Sequence, residues 1–436
     1  MGKNKIPETG IYDARQLGRG RMLLLGFQHM FAMFGATILV PILTGLDVSN
    51  TLLFAGLGTL LFHLLAKGKV PAFLGSSFAF LGGYSAIAPM LENPDAPGLF
   101  NVPNTEMLPY ACFGVACAGL MYLVLSLLFK IFGVRRVMRF FPPIVTGPII
   151  IAIGLSLSSS AVNNCATSWP VALVAILVVI VCNIWGKGMI KIIPILIGIV
   201  GAYIIALIVG WVDYSGLATA AAVGIPPFTI AKFSGSAILT MAPIALATMM
   251  EHVGDISAIS ATTGQNFVED PGLHRTLLGD GLATSLAALF GAPANTTYGE
   301  NTGVLALSKV YDPRVIRIAA VLAIIFSCCP KFAEVVHAMP TATIGGVSLV
   351  LYGMISAVGV RNVVENKVDF TKSRNVIIAA LILVLAIGIT YTAPIQIGIV
   401  SFSGLAVASI VGIVLNAILP GNDFEFDVSE LEEAAE

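Results

Sequence analysis

FGAPANTTYGENTGVLAL, residues 290–307, is a polar, glycine-containing stretch set between long apolar segments. Pro293 lies near its start, residues 295–298 are polar or β-prone, and Gly299 and Glu300 follow. Such a stretch is a poor membrane helix, and non-helical backbone at membrane depth is tolerated only where it is buried in protein or lines a cavity. A carboxylate at that depth costs several kcal/mol, so we expect Glu300 to face a cavity and touch a substrate, an ion or a proton.

A second carboxylate occurs in an equally apolar setting. Glu251 lies within SAILTMAPIALATMMEHVGDISAIS, residues 236–260, and Asp255 follows it by four residues. Helical residues four apart share one face. Two acids on one face of a membrane helix are unfavourable unless that face lines a site or one acid is protonated. Together with Glu300, this pattern predicts a transporter binding site.

The composition is that of a polytopic membrane protein. Hydrophobic residues make up 57% of the 436-residue chain, charged residues 11%, and the mean hydropathy is +0.93. A soluble domain has about a quarter charged residues. The net charge of −1 indicates no nucleic-acid partner. The six cysteines show no metal-ligand spacing, and no nucleophile–base pattern appears, so we expect no metal, no cofactor and no enzyme activity.

Hydropathy alone predicts twelve to fourteen spans, and fourteen spans in the plasma (inner) membrane satisfy the charge rule best. Each apolar run is near the roughly 20 residues that a membrane helix needs, although a few are short or interrupted. With both termini cytoplasmic, all of the 23 Lys and Arg residues except Lys232 and Lys331 fall on the inside, as the positive-inside rule requires. The runs are 22–44, 49–66, 72–91, 108–132, 140–160, 170–185, 190–211, 236–254, 274–291, 297–310, 313–329, 333–358, 373–391 and 395–418.

Two spans are interrupted in matching ways. The third, VPAFLGSSFAFLGGYSAIAP (residues 70–89), carries a Gly-Ser-Ser-Phe segment near its start, and the tenth contains the stretch 290–307. They stand seven spans apart, and because seven is odd, the two halves of the chain would have opposite orientations in the membrane. Interrupted spans at corresponding positions of two halves indicate a transporter binding site between inverted repeats.

At these residues the chain resembles the nucleobase–ascorbate transporter family, most closely its bacterial uracil permeases. The resemblance implies an all-α membrane protein with 14 spans in a 7+7 inverted repeat, in which short antiparallel strands interrupt spans 3 and 10. The matching segments run in family order over nearly the whole chain. They are GFQHMFAMFGATILVP (26–41), KVPAFLGSSFAF (69–80), MEHVGD (250–255), EDPGLHRTLLGDGLAT (269–284), NTTYGENTGV (295–304) and GGVSLVLYG (345–353).

The resemblance also implies two domains, a core that holds a nucleobase and a gate against which the core moves. It further implies a homodimer, because the gate domain braces the moving core. The expected boundaries follow the spans. The core comprises residues 22–132 (spans 1–4) and 236–329 (spans 8–11), the gate comprises 140–211 (spans 5–7) and 333–418 (spans 12–14), and residues 419–436 form an acidic cytoplasmic tail.

Site roles follow from the resemblance. Glu251 and Glu300 are the expected substrate-binding carboxylates, and Phe78 and Gly299 offer backbone amides. A pyrimidine dione presents N–H donors flanked by carbonyl acceptors, and a ligand lacking one of them would leave a buried partner unpaired. The expected substrate-binding residues are Glu251, Glu300, Phe78, Gly299, Ser77 and Tyr298, with Phe78 and Tyr298 against the ring faces. The expected residues for proton coupling or support are Glu251, Glu300, His29, Asp255, Asp280 and Asn301, of which Asn301 is expected to orient Glu300 or the span-10 backbone.

The same carboxylates suggest ion coupling. Removal from water disfavours the charged form of a carboxyl group, and a second carboxylate nearby disfavours it further. One of the pair could therefore bind and release a proton, which would make uptake proton-driven. A sodium-coupled version would use the carboxylates as ion ligands, and the sequence leaves that alternative open.

Substrate choice stays open between two nucleobase classes. Glu300 is typical of uracil members, whereas purine members carry Gln there. Asp255, where many uracil members have His, and Asp280 are typical of the xanthine or urate branch. A third reading, an anion exchanger or channel, is less favoured because such sites prefer Arg, Lys or helix N-termini over paired carboxylates.

His252 is expected to be structural, and two other histidines are expected at the membrane interface. His252 points away from the helix face that carries Glu251. His63 and His337 lie near the ends of apolar runs, so we expect them at the membrane interface.

Overall fold

The computed structural model describes residues 10–94, 100–212, 215–392, 395–397 and 400–421. Within these ranges the chain is mainly helical, with three pairs of short antiparallel strands. The predicted acidic tail lies, from residue 422 onward, outside the described residues. The helices are α1 (Arg19–Thr44), α2 (Val48–Leu65), α3 (Leu81–Ile87), α4 (Leu108–Phe132), α5 (Val134–Met138), α6 (Pro143–Ser156), α7 (Ser158–Ala166), α8 (Trp169–Trp185), α9 (Met189–Ile192), α10 (Pro194–Val209), α11 (Ser215–Thr219), α12 (Gly235–Met241), α13 (Ile244–Thr263), α14 (Leu273–Leu289), α15 (Gly299–Ser308), α16 (Pro313–Ser327), α17 (Pro330–His337), α18 (Thr341–Glu365), α19 (Ser373–Tyr391) and α20 (Gly404–Ile418). The strands are β1 (Leu74–Ser76), β2 (Leu91–Glu92), β3 (Phe100–Val102), β4 (Asn295–Thr297), β5 (Ile395–Ile397) and β6 (Val400–Phe402).

Seven segments of the described chain are long and apolar enough to cross a membrane. The pair α16 and α17 is an eighth candidate, bent by 83° at a short break. The apolar helices α8, α10 and α20 are shorter. The protein is thus an integral membrane protein, and the count of fourteen spans stays a prediction. The seven segments are Arg19–Thr44, Val48–Leu65, Leu108–Phe132, Pro143–Ala166, Gly235–Thr263, Thr341–Glu365 and Ser373–Tyr391.

The apolar run 333–358 is not one continuous helix. Its beginning belongs to α17, which ends at His337, and its remainder belongs to α18, which begins at Thr341 and continues to Glu365. Pro340 precedes the first residue of α18 with extended backbone, and the residue before a helix commonly adopts such a conformation. Hydropathy alone missed this break because the residues on both sides of it are apolar.

The strands β1 and β4 pair with each other in the interior of the protein. The register places Leu74 opposite Thr297 and Ser76 opposite Asn295. Both strands are buried, so their backbone groups need partners other than water. The ring of Tyr298 packs against Gly75, where an added Cβ would lie 2.4 Å from the Tyr298 Cε2 atom. Glycine is therefore required at position 75 for the two strands to approach.

Each of these strands is supported by a threonine from a neighbouring helix. Thr59 of α2 accepts from the Leu74 N–H at 2.9 Å. Thr284 of α14 donates to the Asn295 carbonyl at 3.0 Å, and the Asn295 N–H lies 3.2 Å from the same hydroxyl. The helix before each strand thus provides the same kind of hydrogen bond in both halves of the chain.

Close helix contacts surround this centre. Helix α14 packs on α4 where an added Cβ on Gly119 would lie 2.7 Å from the Gly281 carbonyl. Helix α6 packs on α18 where an added Cβ on Gly154 would lie 2.2 Å from the Tyr352 carbonyl. Small residues let membrane helices approach in this way. These contacts fix the positions of α14 and α18 relative to α4 and α6.

Candidate functional site

One face of α13 carries two half-buried acids. Glu251 and Asp255 are four residues apart, and Gly254, three residues after Glu251, lies on nearly the same face. A Cβ added at Gly254 would meet no heavy atom within 4 Å. This position between the two acids is therefore not filled by packed protein.

One face of α15 is its counterpart. Glu300 is half-buried in the first turn of the helix, and Gly303, three residues later, has no heavy atom within 4 Å of its Cβ position. An acidic residue is favourable in a first turn because the unpaired N–H groups of the helix are there. The two helices that carry the expected carboxylates thus each present an acid beside an open glycine. We call the space bordered by Glu251, Gly254, Asp255, Glu300 and Gly303 the acidic recess.

A hydrogen bond joins the acidic face of α13 to the end of β4, just before α15. The hydroxyl of Thr297 donates to Oδ2 of Asp255 at 2.7 Å. The Cβ position of Gly299 lies 4.0 Å from the other oxygen, Oδ1. Asp255 is therefore held against the end of β4, which the sequence reasoning did not foresee. Thr297, in the Asn-Thr-Thr-Tyr segment, was the available signal in the sequence, because a hydroxyl at membrane depth favours a hydrogen-bond partner.

The segment after β1 places Phe78 opposite a second aromatic ring. Phe78 is buried, and its ring meets that of Tyr352 from α18 at 6.0 Å between centroids and 73° between planes. Among the described residues, neither the Phe78 nor the Gly299 N–H donates to another protein group. Both amides are thus free to donate to a ligand. Tyr352 was not singled out from the sequence, although it lies in the segment GGVSLVLYG (345–353) that carries the resemblance.

Ser77 and Tyr298 differ in what their side chains do. The Ser77 backbone N–H bonds the Ala294 carbonyl at 2.8 Å, but its buried hydroxyl has no hydrogen-bond partner. The Tyr298 hydroxyl donates to the Ser76 carbonyl at 2.8 Å, and only 5% of the residue is exposed. The contacts of Tyr298 thus join the two strands and do not present its ring to the acidic recess.

His29 and Asn301 come together beneath α15. The side-chain amide of Asn301 donates to the His29 carbonyl at 2.9 Å and lies 3.2 Å from its ring Nδ1. Both residues are buried. Asn301 therefore links α15 to α1, whereas its expected role was to orient Glu300 or the backbone of its own span. The ring Nε2 of His29 has no hydrogen-bond partner in the described structure.

The carboxylate of Asp280 is buried beside a histidine of α13. It pairs with His252, with 2.9 Å between Oδ2 and the ring Nδ1, and neither side chain is exposed. The pair joins α14 to the back of α13, which agrees with the expected orientation of His252. His63 is buried, and its Nε2 lies 2.9 Å from the Ala72 carbonyl, so its ring packs inside the protein. That carbonyl precedes β1 and needs a donor in the interior, which explains the burial.

A small cavity adjoins Phe78 on the side facing α6, α19 and α20. Its volume is about 30 Å³, room for a water molecule or two but not for a nucleobase. The residues from the expected core and those from the expected gate both contribute to its wall. They include Phe78, Gly82, Ile153, Ser156, Thr390 and Ser403.

Known proteins with similar sequences are membrane permeases. The sequence profile of a permease family matches residues 20–395. The uracil permease of Bacillus caldolyticus is 43% identical over 420 residues, which cover 92% of this chain and 93% of that protein. The uracil permease of Bacillus subtilis is 40% identical over 423 residues, covering 92% and 94%.

A solved structure with the same fold is that of the murine solute carrier 26 family member A9, an anion transporter in its inward-facing state. The two structures align with a TM-score of 0.66 at 11% sequence identity. The alignment covers 91% of this chain and 67% of the other. At this identity the likeness concerns the fold alone.

Proposed function

Because this chain belongs to the permease family whose profile spans most of its length, we propose that it imports uracil across the plasma membrane. The family resemblance drawn from the sequence is thereby confirmed, and the family consists of transporters rather than enzymes. The observation that carries the proposal is the acidic recess, where two neighbouring helices each carry a half-buried acid beside an open glycine. The names of the relatives support uracil as the substrate.

The chemistry of the acidic recess fits a pyrimidine dione. Carboxylates at Glu251 and Glu300 accept hydrogen bonds from ring N–H groups, and the free amides of Phe78 and Gly299 donate to ring carbonyls. A hydrogen bond to a charged acceptor contributes about 1.5–3 kcal/mol, so losing one would weaken binding by tenfold or more. Phe78 supplies an apolar edge beside the ligand. This set of groups supports selection of a ligand by its donor and acceptor pattern.

The transport cycle we propose couples uracil to protons. One of the two carboxyl groups would bind a proton on the outside and release it in the cytoplasm while the core domain moves against the gate domain. Fourteen spans, cytoplasmic termini and a homodimer that braces the gate belong to the same proposal. The equivalent supports of β1 and β4, through Thr59 and Thr284, favour the inverted repeat on which this cycle depends.

Uptake of radiolabelled nucleobases into transport-deficient cells tests the proposal. We expect saturable uracil uptake that collapses when a protonophore is added and persists when sodium is replaced by choline. Uptake that follows sodium instead would reject proton coupling but not the substrate. Uptake of xanthine or urate without uracil would reject the substrate. The xanthine or urate alternative rests on Asp255 and Asp280, and this assay decides between the two substrate classes.

A charge-neutral variant tests the site itself. Glu300→Gln keeps the size of the side chain but replaces an acceptor with an amide donor, so we expect uptake to fall by at least about tenfold. Glu269→Gln is the matched control, because Glu269 is exposed and lies outside the acidic recess. The two variants should reach the membrane in similar amounts. Full uptake by Glu300→Gln would reject the assignment of this carboxylate to the substrate.

A further inference from the structure

The N-terminal residues 10–18 lie across the connection between α15 and α16, and we call them the N-terminal strap. Ile11 forms two backbone hydrogen bonds with that connection, accepting from the Tyr311 N–H at 2.8 Å and donating to the Lys309 carbonyl at 2.8 Å. Ile11 and Ala14 pack with Val310 and Val315 in a small apolar cluster. The strap therefore adds an extended segment to the end of the helix that carries Glu300.

Polar contacts fasten the N-terminal strap at a second point. The Ala14 N–H donates to Oδ2 of Asp312 at 2.8 Å, and Asp312 is buried. The other oxygen of Asp312 accepts from the Arg314 N–H at 2.9 Å. The Arg314 guanidinium lies 3.0 Å from Oδ1 of Asp13. Buried and exposed contacts thus hold the strap on the same connection.

Tyr12 extends the N-terminal strap to the other helix of the acidic recess. Its hydroxyl donates to the Thr263 carbonyl at 2.6 Å, and Thr263 is the last residue of α13. The last carbonyls of a helix have no partner within the helix, so this bond satisfies one of them. The ring of Tyr12 also meets that of Tyr311, with 5.4 Å between centroids. Tyr12 therefore joins the end of α13 to the end of α15.

The two helices are thus tied at two levels. One connection is the Thr297–Asp255 hydrogen bond at the acidic recess. The other is the strap, which meets α13 at Thr263, eight residues or about 12 Å along the helix from Asp255. Glu251 lies on the other side of Asp255, about 6 Å away along the axis. A tilt about Asp255 that moves Thr263 by about 1 Å moves Glu251 by about half as much. A hydrogen bond tolerates only about 0.5 Å between its usual limits, so that displacement is enough to weaken substrate binding.

We propose that Tyr12 is a positioning residue for substrate binding, which acts by holding the end of α13 against the end of α15. The proposal rests on the proposed function, since it requires Glu251 and Glu300 to hold one substrate between them. Tyr12 does not touch the acidic recess. Its hydroxyl keeps the separation of the two carboxylates constant while the helices move together during transport.

Tyr12→Phe removes the hydroxyl and keeps the ring contact with Tyr311. We expect the KM for uracil to rise by about three- to tenfold, the range given by loss of one hydrogen bond, with an unchanged amount of protein in the membrane. The matched control is Tyr203→Phe, which removes a hydroxyl that donates to the Val335 carbonyl at 3.1 Å. That bond joins α10 to α17, and neither helix borders the acidic recess. Its KM should equal that of the wild type.

Tyr12→Ala is the second variant, because it removes the ring contact as well. Tyr12 is 45% exposed, so neither substitution empties the core. We expect the KM to increase in the order wild type, Tyr12→Phe, Tyr12→Ala. Equal KM values for Tyr12→Phe and Tyr203→Phe, or a loss of protein from the membrane at constant KM, would overturn the positioning role while uracil uptake by the wild type stands. Absence of uracil uptake by the wild type would overturn both proposals.

Discussion

Enlarging Gly303 is expected to block transport without unfolding the protein. A Cβ at this position meets no heavy atom within 4 Å, so Gly303→Ala introduces no clash. Alanine is more favourable than glycine in a helix by about 1 kcal/mol, so the free energy of unfolding should stay constant or rise. Gly303→Leu places a branched side chain in the acidic recess, three residues after Glu300. We expect it to fold normally and to lower uracil uptake by more than about tenfold, since the ligand and the side chain compete for one space.

Gly154→Ala is the contrasting control. It makes the same chemical change inside another helix, but the new Cβ would lie 2.2 Å from the Tyr352 carbonyl and 2.3 Å from the Ser356 hydroxyl. Overpacking of this kind costs about 1–3 kcal/mol, and a backbone atom cannot move aside as a side chain can.

The variants at Gly303 and Gly154 are compared by their thermal stability and by their uracil uptake. Thermal unfolding of the purified protein, followed by size-exclusion chromatography after heating, should give a lower midpoint for Gly154→Ala and no decrease for Gly303→Ala. Uptake per amount of protein in the membrane should fall for Gly303→Leu. A destabilised Gly303→Ala would show that the space is filled, and wild-type uptake by Gly303→Leu would show that the substrate does not use it.

Two further predictions concern single contacts. Thr297→Val keeps the shape of the side chain but removes the hydrogen bond to Asp255, so uracil uptake should fall about tenfold. Thr297→Ser keeps the hydroxyl and should retain uptake. Equal uptake by the two variants would contradict the role of the hydroxyl. The hydrogen bond from Lys69 holds the pKa of Asp270 below its usual range. The pair therefore stabilises the fold above about pH 4, the ordinary pKa of an aspartate. This contribution is lost as the pH falls through the lower pKa of Asp270 in the folded protein. Both side chains are exposed, so Asp270→Asn should lower the free energy of unfolding at neutral pH by no more than about 1 kcal/mol, and a difference from wild type in thermal midpoint that grew on acidification would refute this sign.

The sequence alone indicated where the acids of α13 lie and where the membrane helix before Glu300 is interrupted. Glu251 and Asp255 share a face because a helix repeats every 3.6 residues, and the structure has that face beside open space. The polar stretch after residue 294 could not continue a membrane helix, and the structure has the strand β4 there. In each case the information is local, since it depends on residues within a few positions of one another.

Partners of the remaining polar residues were not accessible in this way. His29 and Asn301 are 272 residues apart in the chain, and Asp280 and His252 lie on different helices. Asp280 and Asp255 look alike in the sequence, as acids within apolar runs. Asp280 pairs with His252, which lies on α13. Asp255 instead accepts a hydrogen bond from Thr297 at the acidic recess. Their difference depends on the rotation of each helix about its axis, which the hydropathy of a run does not record.

Membrane location, the break in the polar stretch and the transporter family follow from the order of residues alone, because burial in lipid imposes composition and because backbone at membrane depth needs internal partners. The tertiary structure alone decides which polar groups face the acidic recess and which form hydrogen bonds elsewhere in the protein. Tyr298 is occupied with Ser76, Asn301 with His29, and Tyr12 with the end of α13. The physical reason is that a buried polar group bonds whatever neighbour the packing of distant helices brings within about 3 Å, and that neighbour can lie anywhere in the chain.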